Sequence, residues 1–137
     1  TGNSGHFYID RDGRIEQWVP LDRVAHHVRG HNKDSLGIEL VNRGRWPDWH
    51  DSRHQAWQET FPDSQIQALI ELLSMLESKL PALDEIAGHD QLDPDWIEAS
   101  DNPDIQVRRK TDPGPAFPWS RVLSATNLRL HQSLEDK

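Results

Sequence analysis

Polar and apolar residues alternate along Arg14-Ile15-Glu16-Gln17-Trp18-Val19-Pro20, the two-residue period of a half-buried strand. A β-prone run, His6-Phe7-Tyr8-Ile9-Asp10, comes just before it, and Asp12-Gly13 between the two is a strong turn signal. Residues 6–19 are therefore expected to form a β-hairpin. Residues 21–34 are polar, carry His26, His27 and His31, and read as a loop or short helix. Ser35-Leu36-Gly37-Ile38-Glu39-Leu40-Val41 reads as a third strand, with residues 36, 38 and 40 on one face and Glu39 on the other. The Trp-, Arg- and Pro-rich stretch 42–62 reads as a long loop.

The period then changes. Ile66, Leu69, Ile70, Leu73, Leu76 and Leu80 follow the three-and-four spacing of one helix face. Asp63 or Ser64 is placed to cap that helix, and Pro81 to end it. Ile86-Ala87-Gly88-His89 is expected as a short strand running into a loop. The acidic stretch 91–107 has little periodicity and reads as a loop insertion. Pro113, Pro115 and Pro118 stiffen the next segment, and Trp119 to Leu130 is expected as a closing helix. Strands and helices mix without a βαβ repeat, which points to a single α/β domain covering 1–137.

Composition excludes several classes. The chain has 137 residues, of which 34% are hydrophobic, with six Trp, enough for a single core. The net charge of −8 argues against a nucleic-acid partner, which would require clustered Lys and Arg. Only Arg108-Arg109-Lys110 forms a local basic run. With no cysteine there is neither a disulfide framework nor a thiolate metal site. No apolar run reaches the roughly 18 residues of a membrane span. The opening Thr1-Gly2-Asn3-Ser4 reads as the middle of a protein.

Three features could carry chemistry. His89 and Asp112 lie on two loops and together offer imidazole nitrogen and carboxylate oxygen, a donor pair suited to Zn²⁺. Glu39 is an acid inside an apolar strand, where burial would raise its pKa and suit it to proton transfer. Lys110, two residues before Asp112, could donate to an oxyanion. Each also has a plainer reading. His89 could be a hydrogen-bonded loop histidine, Asp112 a turn residue before proline, and Glu39 a solvated residue on an open sheet face. Trp46, Trp49 and Trp57 could pack the loop or stack on sugar.

Taken together, the motifs are specific. Ser4-Gly5-His6-Phe7-Tyr8-Ile9 with Asp12-Gly13, Trp18-Val19-Pro20, Val24-Ala25-His26-His27, Asn32 to Leu40, Gly88-His89, and Arg109-Lys110-Thr111-Asp112-Pro113-Gly114-Pro115-Ala116-Phe117-Pro118-Trp119 resemble, in order, the type 2 N-acetylmuramoyl-L-alanine amidase family. That family is related to peptidoglycan recognition proteins and anhydro-muropeptide amidases. The resemblance implies a mixed β-sheet flanked by helices. It also implies zinc-dependent hydrolysis of the amide between N-acetylmuramic acid and L-alanine in peptidoglycan or muropeptides. On the same basis His89 and Asp112 are expected as zinc ligands, Glu39 as general base and Lys110 as oxyanion donor. His27 is expected to line the substrate cleft, and Trp46 is a further candidate for substrate contact.

The family's first zinc ligand is a histidine on a central strand upstream of the Ser-Gly-His motif. In this chain that ligand, and the N-terminal strand bearing it, are expected before Thr1, with His6 as a substitute. The stretch 91–107 is longer than the family's usual loop. The competing reading is a peptidoglycan-binding module without catalysis and without a full zinc site. A cell-envelope location is favoured over the cytoplasm, and oligomeric state is not indicated.

Overall fold

A computed structural model describes residues 5–23 and 35–132. The hairpin forms as the alternation predicts. β1 (Phe7–Ile9) pairs antiparallel with β2 (Ile15–Gln17), Phe7 opposite Gln17 and Ile9 opposite Ile15. β3 (Ile38–Leu40) lies parallel to β1 on its other side, with Tyr8 opposite Glu39. The result is a mixed three-stranded sheet in the order β2-β1-β3. The expectations for residues 24–34, His27 among them, lie outside the described residues.

α1 (Asp63–Lys79) buries Ile66, Leu69, Leu72, Leu73 and Leu76, each less than 5% exposed. Burial of one such side chain contributes about 1.5–3 kcal/mol, so this face anchors the core together with Phe7, Ile9, Phe117, Val122 and Leu128. Neither Asp63 nor Ser64 caps the helix. Pro62 occupies the N-cap without a side-chain bond, and the Ser64 hydroxyl donates instead to the Arg11 carbonyl at 2.7 Å. The Asp63 carboxylate pairs with Arg121.

The apolar face also includes a polar residue. Gln65 is fully buried, and its Nε2 donates to the Ile9 oxygen at 2.9 Å and the Val41 oxygen at 3.0 Å. This amide ties α1 to the ends of β1 and β3.

The second half of the chain is built from short pieces. β4 (Glu85–Ile86) leads into the single turn α2 (His89–Leu92). Within 91–107, β5 (Trp96–Glu98) folds back on β6 (Gln106–Arg108), with Ile97 opposite Val107. α3 (Trp119–Ala125) is shorter than expected. The chain leaves the helix at Thr126, and β7 (Arg129–Leu130) pairs parallel with β4. Asn127 and Leu128 thus belong to a return segment, with Leu128 buried in the core. No helix among the described residues is long and apolar enough to cross a membrane.

Candidate functional site

Among the described residues β3 is an edge strand of its sheet, and β4 lies in a different sheet. Between them runs a cavity of about 710 Å³, lined by residues 35–40 on one side and 82–89 on the other. Leu69, Leu73 and Leu76 of α1 are among its apolar walls, and Glu39, His89, Lys110 and Asp112 all line it. Four candidates from three separate stretches of sequence therefore converge on one groove.

His89 is placed by a tight turn. The Gly88 N–H donates to Gln91 Oε1 at 2.9 Å, and the Gln91 Nε2 donates to the His131 oxygen at 3.0 Å. Gly88 has no room for a side chain. A Cβ there would lie 2.4 Å from Asp90 Oδ1 and 2.8 Å from the Pro113 ring. Asp112 is brought alongside by a main-chain staple, the Asp90 N–H donating to the Asp112 carbonyl at 3.0 Å. The His89 Nδ1 then lies 3.2 Å from Asp112 Oδ2. Two donors each about 2.0–2.1 Å from a tetrahedral zinc ion stand about 3.3 Å apart, so this pair matches the spacing of two zinc ligands. Among the described residues no group of three His, Cys, Asp or Glu side chains stands ready to hold a metal.

The electrostatics separate the two carboxylates. Burial, followed by the nearby charge of Asp112, pushes Glu39 above its usual value, while His89 and Lys110 oppose that shift. For Asp112 burial is the largest single influence and would raise it. The hydrogen bond and charge of His89, with help from Lys110, outweigh burial and hold Asp112 below its usual value. One carboxyl is thereby biased toward keeping a proton, and the other toward remaining an anionic donor.

The remaining candidates lie elsewhere. Trp46 is 52% exposed, with the Arg43 guanidinium 5.4 Å from its ring, and it does not line the groove. His6 is 1% exposed. Its Nε2 sits 2.7 Å from the Arg23 oxygen, and its Nδ1 accepts from the Gly37 N–H at 3.1 Å. Both ring nitrogens therefore have protein partners, and binding a metal would require giving one up.

Two further residues stand near the site: Trp57, one of the loop tryptophans noted in the sequence, and Arg45, which no local pattern announces. Trp57 lines the groove and donates its indole N–H to Thr111 Oγ1 at 2.9 Å. Arg45 is 8% exposed, although charged residues are seldom buried. Its guanidinium donates to Gln55 Oε1 at 2.8 Å, to the Arg108 oxygen, and to the Arg109 oxygen at 2.9 Å.

Comparison with known proteins bears on the family and the fold. A family model described as N-acetylmuramoyl-L-alanine amidase matches residues 1–115. The 1,6-anhydro-N-acetylmuramyl-L-alanine amidase AmpD of Salmonella typhimurium is 31% identical over 140 residues, covering 96% of this chain and 61% of that protein. The N-acetylmuramoyl-L-alanine amidase AmiD of Escherichia coli is 36% identical over 117 residues, covering 80% of this chain and 37% of AmiD. A solved structure of Escherichia coli AmiD, in complex with the substrate anhydro-N-acetylmuramic acid-L-Ala-D-gamma-Glu-L-Lys, superposes with a TM-score of 0.68. That match has 27% identity and covers 90% of this chain and 48% of the other. The chain thus spans less than two thirds of the length of these relatives.

Proposed function

The chain belongs to the N-acetylmuramoyl-L-alanine amidase family, and from that premise we propose that it hydrolyses the amide between the lactyl group of N-acetylmuramic acid and L-alanine in peptidoglycan or muropeptides. The observation that carries the reading is the meeting of Glu39, His89, Lys110 and Asp112 on one groove. AmpD is named for its action on an anhydro-muramyl substrate, and AmiD has been solved with one. A released anhydro-muropeptide is therefore the first substrate to test.

His89 and Asp112 would hold a zinc ion, and their 3.2 Å separation fits that role. When bound, zinc supplies Lewis-acid polarisation and makes water a competent nucleophile near neutral pH. The proposal needs a further donor besides these two.

The protein's own groups carry the proton and charge movements. The ionised form of Glu39 takes a proton from the attacking water. Its raised affinity for that proton, arising first from burial, suits it to hold the proton and pass it to the departing alanine nitrogen. Lys110 reaches the same groove and donates to the carbonyl oxygen as that oxygen gains charge, an interaction stronger in the transition state than in the bound substrate. Leu69, Leu73 and Trp119 add apolar wall to the same groove, and an apolar wall strengthens the electrostatic interactions made beside it.

The test is digestion of purified anhydro-muropeptide with zinc present, followed by mass spectrometry of the products. The expected result is a free stem peptide with a new alanine N-terminus, lost in Glu39→Gln while muropeptide binding persists. Binding with no cleavage by the unaltered protein would overturn the catalytic reading and leave the peptidoglycan-binding module. Cleavage that survives Glu39→Gln would remove Glu39 from its role as base.

A further inference from the structure

The buried Arg45 has no part in the proton movements above, yet its side chain spends its hydrogen bonds on the main chain leading to Lys110. Nη1 donates to the Arg108 carbonyl and Nη2 to the Arg109 carbonyl at 2.9 Å, across more than 60 residues of sequence. A planar guanidinium presents fixed, forked donors, so two successive carbonyls fix both the position and the direction of the strand they belong to.

The fork is itself held. Gln55 Oε1 accepts from Nη1 at 2.8 Å, and Gln55 Nε2 donates to the Trp49 and Asp51 oxygens at 2.7 and 2.8 Å. The Trp49 ring lies 5.1 Å from the guanidinium carbon.

On the far side of Lys110 a second contact comes from the same loop. The Trp57 indole N–H donates to Thr111 Oγ1 at 2.9 Å. The indole face lies so close to Gly114, at φ +84°, that a Cβ there would be 2.5 Å from the ring. Arg45 and Trp57 are cross-bridged to each other by main-chain pairing. The chain is therefore gripped immediately before Lys110 and immediately after it, and Lys110 is the residue between the grips.

We propose that Arg45 and Trp57 are positioning residues that hold Lys110 at the reacting carbonyl. Neither side chain needs to touch substrate for this. The inference rests on the amidase reading only for what Lys110 does once it is in place; the grip itself is a property of the fold.

The experiment uses Arg45→Lys and Trp57→Phe, which keep charge or ring and lose the fork or the N–H. Two readouts are needed. The first is amide hydrogen exchange at Asp90, whose N–H bonds to the Asp112 carbonyl, and at Gly114, whose N–H bonds to the Thr111 carbonyl. Exchange at both should rise at least about tenfold in Arg45→Lys, while amides in the middle of α1 are unchanged. The second readout is muropeptide turnover. The expected loss is about 10- to 100-fold in kcat, with KM within about twofold, the scale of a misplaced catalytic group. In a Lys110→Met background the same substitutions should cost little more, because the group they position is gone.

Unchanged exchange at Asp90 and Gly114 would overturn the proposal, as would losses that multiply in full with Lys110→Met. If the unaltered protein does not cleave muropeptides, the amidase reading fails by itself and the exchange result alone decides whether the grip exists.

Discussion

Gln65→Leu is the sharpest test of how the fold holds its sheet against α1. The side chain is fully buried, and its Nε2 serves two carbonyls, those of Ile9 and Val41. The two losses are unequal. The Ile9 oxygen also accepts the Val41 N–H at 3.0 Å, so it keeps a partner and loses about 1 kcal/mol. The part-buried Val41 oxygen loses the bond Gln65 gives it, and an acceptor left without its partner costs about 1–3 kcal/mol. Against this, Gln65 Oε1 is itself buried without a partner, and removing it returns about 1 kcal/mol. The net expectation is a destabilisation of about 2 kcal/mol, or a midpoint lower by about 6–8 °C for a chain of this size. Equilibrium urea unfolding, checked by heat denaturation, measures it. Gln65→Glu should be worse, since it sets a third acceptor against two carbonyls. A Gln65→Leu protein within about 0.5 kcal/mol of the unaltered one, the range typical of innocuous surface changes, would refute the reasoning.

Other outcomes follow from the same structure. Gly114→Ala should lower stability by about 1–3 kcal/mol, because it combines a left-handed φ with a Cβ 2.5 Å from the Trp57 ring; thermal unfolding would show it, and a neutral result would mean the indole does not pack there. Lys110→Met should lower kcat by about 10²–10³-fold with KM nearly unchanged, read from steady-state muropeptide cleavage. Glu59 is held down to about 2, first by its hydrogen bond from Arg11, below an unfolded value near 4.3. The stability it contributes is complete above about pH 5 and is lost as pH falls from about 4 toward 2. The urea midpoints of Glu59→Gln and the unaltered protein should therefore differ at pH 7 and converge near pH 2.

The parts of the fold legible in the sequence are those where a period runs long enough to repeat. The hairpin around Asp12-Gly13 and the heptad-like face of α1 are of this kind. β4 and β7 have two residues each, too few for a period of two to show, so no period separates β7 from the end of α3. The β5–β6 hairpin is hidden because Trp96, Glu98 and Gln106 are all exposed and only Val107 is buried. In the site, Glu39, His89, Lys110 and Asp112 stand out as chemistry-bearing residues in recognisable settings. Gln65 and Arg45 do not. A polar residue buried by bonds to backbone carbonyls depends on partners tens of residues away, and no local pattern encodes them.

The grip on the Lys110 segment has an evolutionary consequence. Arg45 binds the carbonyl oxygens of residues 108 and 109, which every amino acid carries, so the side chain at 110 can change identity while the main chain keeps its course. Loss of the ammonium group by a single codon change would leave the groove, the His89–Asp112 pair and the surrounding walls standing. A lineage could thus pass from cutting the cell wall to merely holding it without first losing its shape, and pass back by the same route.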